Sequence, residues 1–128
     1  MAIIPTIDKQ AAINEAKQYF KQFKDWNLIK QRAVIAYKIT GQQQNNSRAV
    51  YECTERLKIV DHLNQDKPGL GTIVYLRFIK GYRMNRTIDE LAARGMAYSE
   101  RKTRYLQRKA LLKAYEYIPG NTTAIAKD

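Results

Sequence analysis

Thr103, Leu106, Ala110, Ala114 and Tyr117 are separated by 3, 4, 4 and 3 positions. That spacing lines all of them along one stripe of an α-helix but scatters them over both faces of a strand. This stretch can therefore bury a continuous surface only as a helix. The same period recurs upstream, at Ile13, Ala16, Phe20 and Phe23 and again at Val50, Cys53, Leu57 and Val60. The expectation is an all-α chain.

Capping and breaking residues set the boundaries. Asp8 is placed to cap the first helix, and a second helical stretch is expected over about residues 27–38. The segment "TGQQQNNS" at 40–47 has no apolar residue and reads as a loop, with Ser47 capping the helix "RAVYECTERLKIVDHLNQ". The seam Val50, Cys53, Leu57 and Val60 on that helix either packs on the chain's own core or forms a homodimer contact of coiled-coil type. "DKPGLG" at 66–71 is a turn.

Three helices are expected beyond it. "GTIVYLRFIKG" places Ile73, Leu76 and Ile79 on one side. "YRMNR" connects it to "TIDELAARG", where Thr87 and Glu90 have the spacing of a capping box. The core face of that short helix is expected at Ile88, Leu91 and Ala92, with Gly95 ending it. "MAYS" turns the chain, and Ser99 caps a longer helix running to about Ile118, stopped by "PGN". These boundaries divide the chain into an N-terminal helical region (1–66), a C-terminal domain (67–119) and a flexible tail (120–128).

Charge narrows the function. The 128 residues carry 23 Lys and Arg against 12 Asp and Glu, a net +11. Residues 1–64 hold 10 basic and 6 acidic groups, net +4; residues 65–128 hold 13 and 6, net +7. Such an excess favours a polyanionic partner, at the C-terminal half first. There is no apolar run long enough to span a bilayer, and "MAIIPTIDKQ" lacks the basic start of a signal peptide, so no membrane partner is expected. One cysteine and one histidine exclude an internal disulfide and a Cys/His metal cluster, and a reducing cytoplasmic setting is expected.

The basic excess concentrates in "SERKTRYLQRKALLKA", residues 99–114, on the side opposite the stripe described above. A short helix, a turn with glycine and a longer basic helix have the order of a helix-turn-helix. In that arrangement Glu100, Arg101, Lys102, Arg104, Tyr105 and Arg108 face outward at the end that enters a major groove. Arginine can give two bonds to guanine, a carboxylate can accept from cytosine, and tyrosine can touch a thymine methyl. Arg86, Thr87, Ser99 and Lys109 are expected on backbone phosphates.

The segment "IVYLRFIKGYRMNRTIDELAARGMAYSERKTRYLQRKALLKA" resembles region 4 of housekeeping-type sigma factors, which reads the −35 promoter element. The likeness rests on an "LRF" ending the first helix, the connection "IKGYRMNR", the "TIDEL" helix and the closing "KALLK". Two features depart from that pattern. The turn "RGMAYS" is one residue longer, and Glu100 stands where those factors often have Arg. The first 66 residues do not resemble the promoter-melting region of such factors. Together with "EAKQYFKQFKDWNLIKQRA", the chain is similar to ArpU-type and RinA-type regulators of Gram-positive phages and prophages. That resemblance implies a transcriptional activator of late or autolysin-type genes that binds double-stranded DNA and contacts RNA polymerase or a second copy.

Catalysis is not expected. His62 has no recognisable Cys, Ser or carboxylate partner, and Asp89 and Glu90 are adjacent and point about 100° apart on a helix. No cofactor is implied. Two other functions fit a basic helical chain. One is a DNA-packaging adaptor like a small terminase subunit; the other is an adaptor binding RNA polymerase through protein contacts alone.

Overall fold

The computed structural model describes residues 8–42 and 45–119, and every regular element among them is helical. The elements are α1 (Lys9–Lys21), α2 (Phe23–Thr40), α3 (Ser47–Asp66), α4 (Leu70–Val74) running directly into a π-helical turn (Tyr75–Ile79), α5 (Met84–Ala93) and α6 (Glu100–Tyr115). The tail expected at 120–128 lies outside the described residues.

One core joins elements from both halves of the sequence. Ile13, Ala16 and Phe20 of α1 and Ile59, Val60 and Leu63 of α3 meet Leu70, Ile73 and Val74 of α4, together with Leu91 of α5. Leu106, Ala110, Leu111 and Ala114 of α6 close it. Each fully enclosed Phe, Leu or Ile stabilises the fold by about 1.5–3 kcal/mol relative to exposure. The division expected at residue 66 therefore does not coincide with a division of the core. Only α2 stands aside: it packs on α3 and encloses just Ala33, while Leu28, Ile29, Val34, Ile35, Tyr37 and Ile39 stay exposed.

Local chemistry explains most boundaries. The Asp8 side chain accepts from the Ala11 N–H at 3.1 Å and starts α1. α1 and α2 meet at Gln22, five residues before the second helix was expected. Ser47 is the first residue of α3 rather than its cap; its N–H and hydroxyl donate to Asn45 Oδ1 at 3.1 and 2.8 Å. α6 ends at Tyr115, short of Ile118, and a tighter turn follows in which Ile118 N–H reaches the Tyr115 carbonyl.

The seam expected on α3 does not form one surface. Cys53 and Val60 are enclosed by the chain's own helices, whereas Val50 and Leu57 are 41 % and 39 % exposed. The inward face is instead Ala49, Cys53, Arg56, Val60 and Leu63, with Ile59 beside it. A homodimer contact through all of Val50, Cys53, Leu57 and Val60 would require unpacking the core.

Arg56 shows how that face holds together. It is 1 % exposed, and its Nε donates to the Tyr19 carbonyl at 2.7 Å. One terminal nitrogen donates to the Glu52 carbonyl and carboxylate at 2.9 and 2.6 Å, and the other to Gln22 Oε1 at 2.9 Å. The cation thus ties the α1–α2 junction to α3 with its donors partnered, as a buried charge requires.

Candidate nucleic-acid interface

The basic surface is built where α6 emerges from the core. The Ser99 hydroxyl accepts from the Lys102 N–H at 3.1 Å, and Thr103 Oγ1 donates to the Ser99 carbonyl at 2.8 Å. These bonds fix the first turn of α6. Thr103, Leu106 and Ala110 are buried beneath it, so Glu100, Arg101, Lys102, Arg104, Tyr105, Arg108 and Lys109 lie exposed on the other side. Tyr105, an aromatic side chain, is 62 % exposed there. Tyr117, expected on the buried stripe, is only partly covered; its hydroxyl donates to Asp66 Oδ2 at 3.0 Å, and burial passes to Leu111 and Tyr115 instead.

α1 limits how far this surface extends. It packs along the C-terminal half of α6, with Ala12 against Tyr115. Arg108 donates to Gln10 Oε1 at 3.4 Å, so it marks the edge of the open face. The unobstructed part is the N-terminal turns of α6.

Electrostatics there are lightly balanced. Glu100 and Arg104 approach to 3.6 Å, and both are more than half exposed, so their pairing is worth at most about 1 kcal/mol and yields readily to a stronger anion. The Lys102 ammonium sits 4.9 Å from the Tyr98 ring centre, which orders it without neutralising it.

α5 departs from the expected capping box. It begins at Met84, three residues before Thr87, with Arg83 in the capping position. Thr87 is fully buried and its hydroxyl donates back to the Arg83 carbonyl at 2.9 Å. It cannot meet a phosphate. The buried face is Met84, Thr87 and Leu91; Ile88 is half-buried and Ala92 exposed. Glu90 pairs with Arg94 at 3.0 Å rather than reaching back to a cap. Met84 explains the shift, since an extra turn at the N-terminal end buries one more large apolar side chain.

The turn into α6 behaves as expected of Gly95. Its N–H reaches the Ala92 carbonyl at 3.0 Å, and the Met96 N–H reaches the Leu91 carbonyl at 2.9 Å. With Gly95 at φ +84° this is a Schellman end, which fixes the angle at which the chain leaves α5.

One side chain, Arg77, joins the surface without having been expected there. Arg77, on the π-helical turn, donates from Nε to Gln107 Oε1 at 2.9 Å and from a terminal nitrogen to the Tyr82 carbonyl at 2.8 Å. Arg86, expected on the backbone, is exposed, with its guanidinium 3.8 Å from the centre of the Tyr82 ring. The signal that places Arg77 is the π turn itself. By inserting a residue into the helix it buries Phe78 in preference to Ile79 and turns Arg77 toward α6.

Among the described residues no group of His, Cys, Asp and Glu is arranged to hold a metal ion, and no helix is long and apolar enough to cross a membrane. His62 stacks on Tyr117 at 5.4 Å between ring centres. No family model matches this chain, and no significant similarity to curated proteins or solved structures is found.

Proposed function

We propose that the chain is a sequence-specific regulator of transcription that binds duplex DNA through α5 and α6 used as a helix-turn-helix of sigma-region-4 type. The observation that carries this reading is the N-terminal half of α6. It projects Arg101, Lys102, Arg104 and Tyr105 from one exposed face, while Thr103, Leu106 and Ala110 anchor the opposite face in the core. A face so placed can enter a major groove without disturbing the fold. Arg101 and Arg104 are then the groove-reading cations, with Lys102, Lys109 and Arg86 on phosphates.

The α2–α3 hairpin is the part we assign to protein contact, with RNA polymerase or a second copy, because its apolar side chains Leu28, Ile35, Ile39, Val50 and Leu57 remain exposed. The resemblance to ArpU-type and RinA-type regulators makes activation of late or autolysin-type phage genes the favoured role.

The test is a triple variant, Arg101→Ala, Lys102→Ala and Arg104→Ala, compared with the wild type for duplex binding by fluorescence anisotropy. All three side chains are exposed, so helicity and melting temperature should hold while affinity falls at least a hundredfold, on the basis of about 1–3 kcal/mol for each good contact. Unchanged affinity removes the site assignment.

A further inference from the structure

We infer that Arg77 and Arg86, both held by Tyr82, form a preset oxyanion site for the phosphodiester backbone of one DNA strand, beside the Arg104 edge of α6. The inference rests on the duplex-binding reading above and adds to it a phosphate site whose central residue, Arg77, lies outside α6.

Geometry carries the argument. Tyr82 takes one guanidinium on its carbonyl oxygen and the other on its ring, so a single residue fixes the places of both cations. Gln107 accepts from Arg77 Nε, and Gln107 lies one helical turn from Arg104 on α6. Arg77 therefore lies on the Arg104 side of α6, and Arg86 is joined to it through Tyr82. Neither has an acidic side chain within ion-pair distance among the described residues.

Arg77 is also partly enclosed, so its charge is not fully solvated. Burial first, and the neighbouring Arg104 second, make its charged form less favourable than in water. A fold that only needed to tie the π turn to α6 and to the Tyr82 carbonyl needs two N–H donors there, which a neutral amide supplies. A cation that is part-buried, held by two neutral acceptors and set near another cation is in the state expected of an anion site before its anion arrives. Arginine matches phosphate bidentately, and holding the side chain in place beforehand reduces the ordering cost of binding.

The experiment compares Arg77→Gln and Arg86→Ala with the wild type in duplex binding across a salt series. Each variant should keep its melting temperature within a few degrees and lose about one unit of the log–log salt slope, irrespective of duplex sequence. A slope equal to that of the wild type in both variants overturns the site. If Arg77→Gln fails to fold, a phosphate titration of the wild type decides. A second readout keeps this inference separable from duplex binding itself. Inorganic phosphate titrated into the full chain, followed by NMR at the arginine Nε–H groups, should shift Arg77 and Arg86 together and saturably. Weak, uniform shifts over all arginines would overturn the site even where DNA binds. A wild type that binds no duplex but shows the paired shift would instead sink the duplex reading and leave a phosphate site.

Discussion

The guanidinium carbon of Arg56 lies 3.9 Å from the centre of the Tyr19 ring, and its Nε bonds the carbonyl of that same residue at 2.7 Å. A charged side chain from α3 is thus wrapped by the end of α1. Arg56→Ala should destabilise the chain by about 3 kcal/mol, because it empties a large buried volume and leaves the Glu52 carboxylate only the looser pairing with Arg48 at 3.8 Å. Glu52→Gln, at a partly exposed position, should cost about 1 kcal/mol. Urea unfolding of the two variants checks the order, and a loss below 1 kcal/mol for Arg56→Ala would contradict the assigned role.

Tyr19 gives the fold an alkaline limit. Burial, more than its charged neighbours, holds its phenol above the ordinary tyrosine value, and the nearby Arg56 only partly offsets this. The folded chain therefore keeps the proton at a pH where the unfolded chain has lost it. This stability is present below about pH 10 and is lost as pH rises through the folded-state value. Tyr19→Phe should lessen that loss while keeping the Arg56 bond, which is to the backbone. Melting temperatures at pH 8, 10 and 11, taken as approximate settings around the tyrosine range, check it.

Thr87 and Arg86 are neighbours with opposite fates. Thr87→Val should leave duplex affinity unchanged and cost about 1 kcal/mol of stability through the lost bond to the Arg83 carbonyl. Arg86→Ala should weaken duplex binding and leave stability unchanged. A fall in affinity for Thr87→Val with the fold intact would return Thr87 to the interface.

These two residues also show how far the sequence could be read. Ser99 and Asp8 were legible as caps because each directly precedes a helical apolar pattern, and their bonds form as expected. Thr87 with Glu90 has the same signature, yet a threonine inside a helix satisfies its hydroxyl on the carbonyl four residues back. The motif alone does not distinguish the two. The exposed face of α6 was legible from its stripe. The inward face of α3 is not legible from an apolar seam such as Val50, Cys53, Leu57 and Val60, because one of its residues is the buried Arg56. Allowing one buried arginine shifts the phase of the whole helix and sends Val50 and Leu57 to the surface. Arg77 was hidden because a π turn leaves no mark in a 3.6-residue period.

Two glycines should tolerate no side chain, for different reasons. A Cβ on Gly71 would overlap the carbonyl oxygen of Val60 and come within 2.9 Å of Asn64 Cγ, so α4 could no longer lie against α3. Gly71→Ala should cost about 3 kcal/mol or more. Gly95 has open space around it but a left-handed φ of +84°, so Gly95→Ala should cost about 1–2 kcal/mol. Thermal unfolding of both variants checks the ranking, and a milder effect at Gly71 than at Gly95 would contradict the close approach of the two helices.

The central claim is that the open face of α6 meets phosphates and base edges. Its most direct test is fluorescence anisotropy of the wild-type chain with a mixed-sequence duplex, repeated over a range of salt concentrations. The account predicts saturable binding that weakens steeply with salt, with a log–log slope of several units from the arginines and lysines around α6. Absence of binding at the lowest salt would contradict it and mark the basic face as solvated or protein-facing.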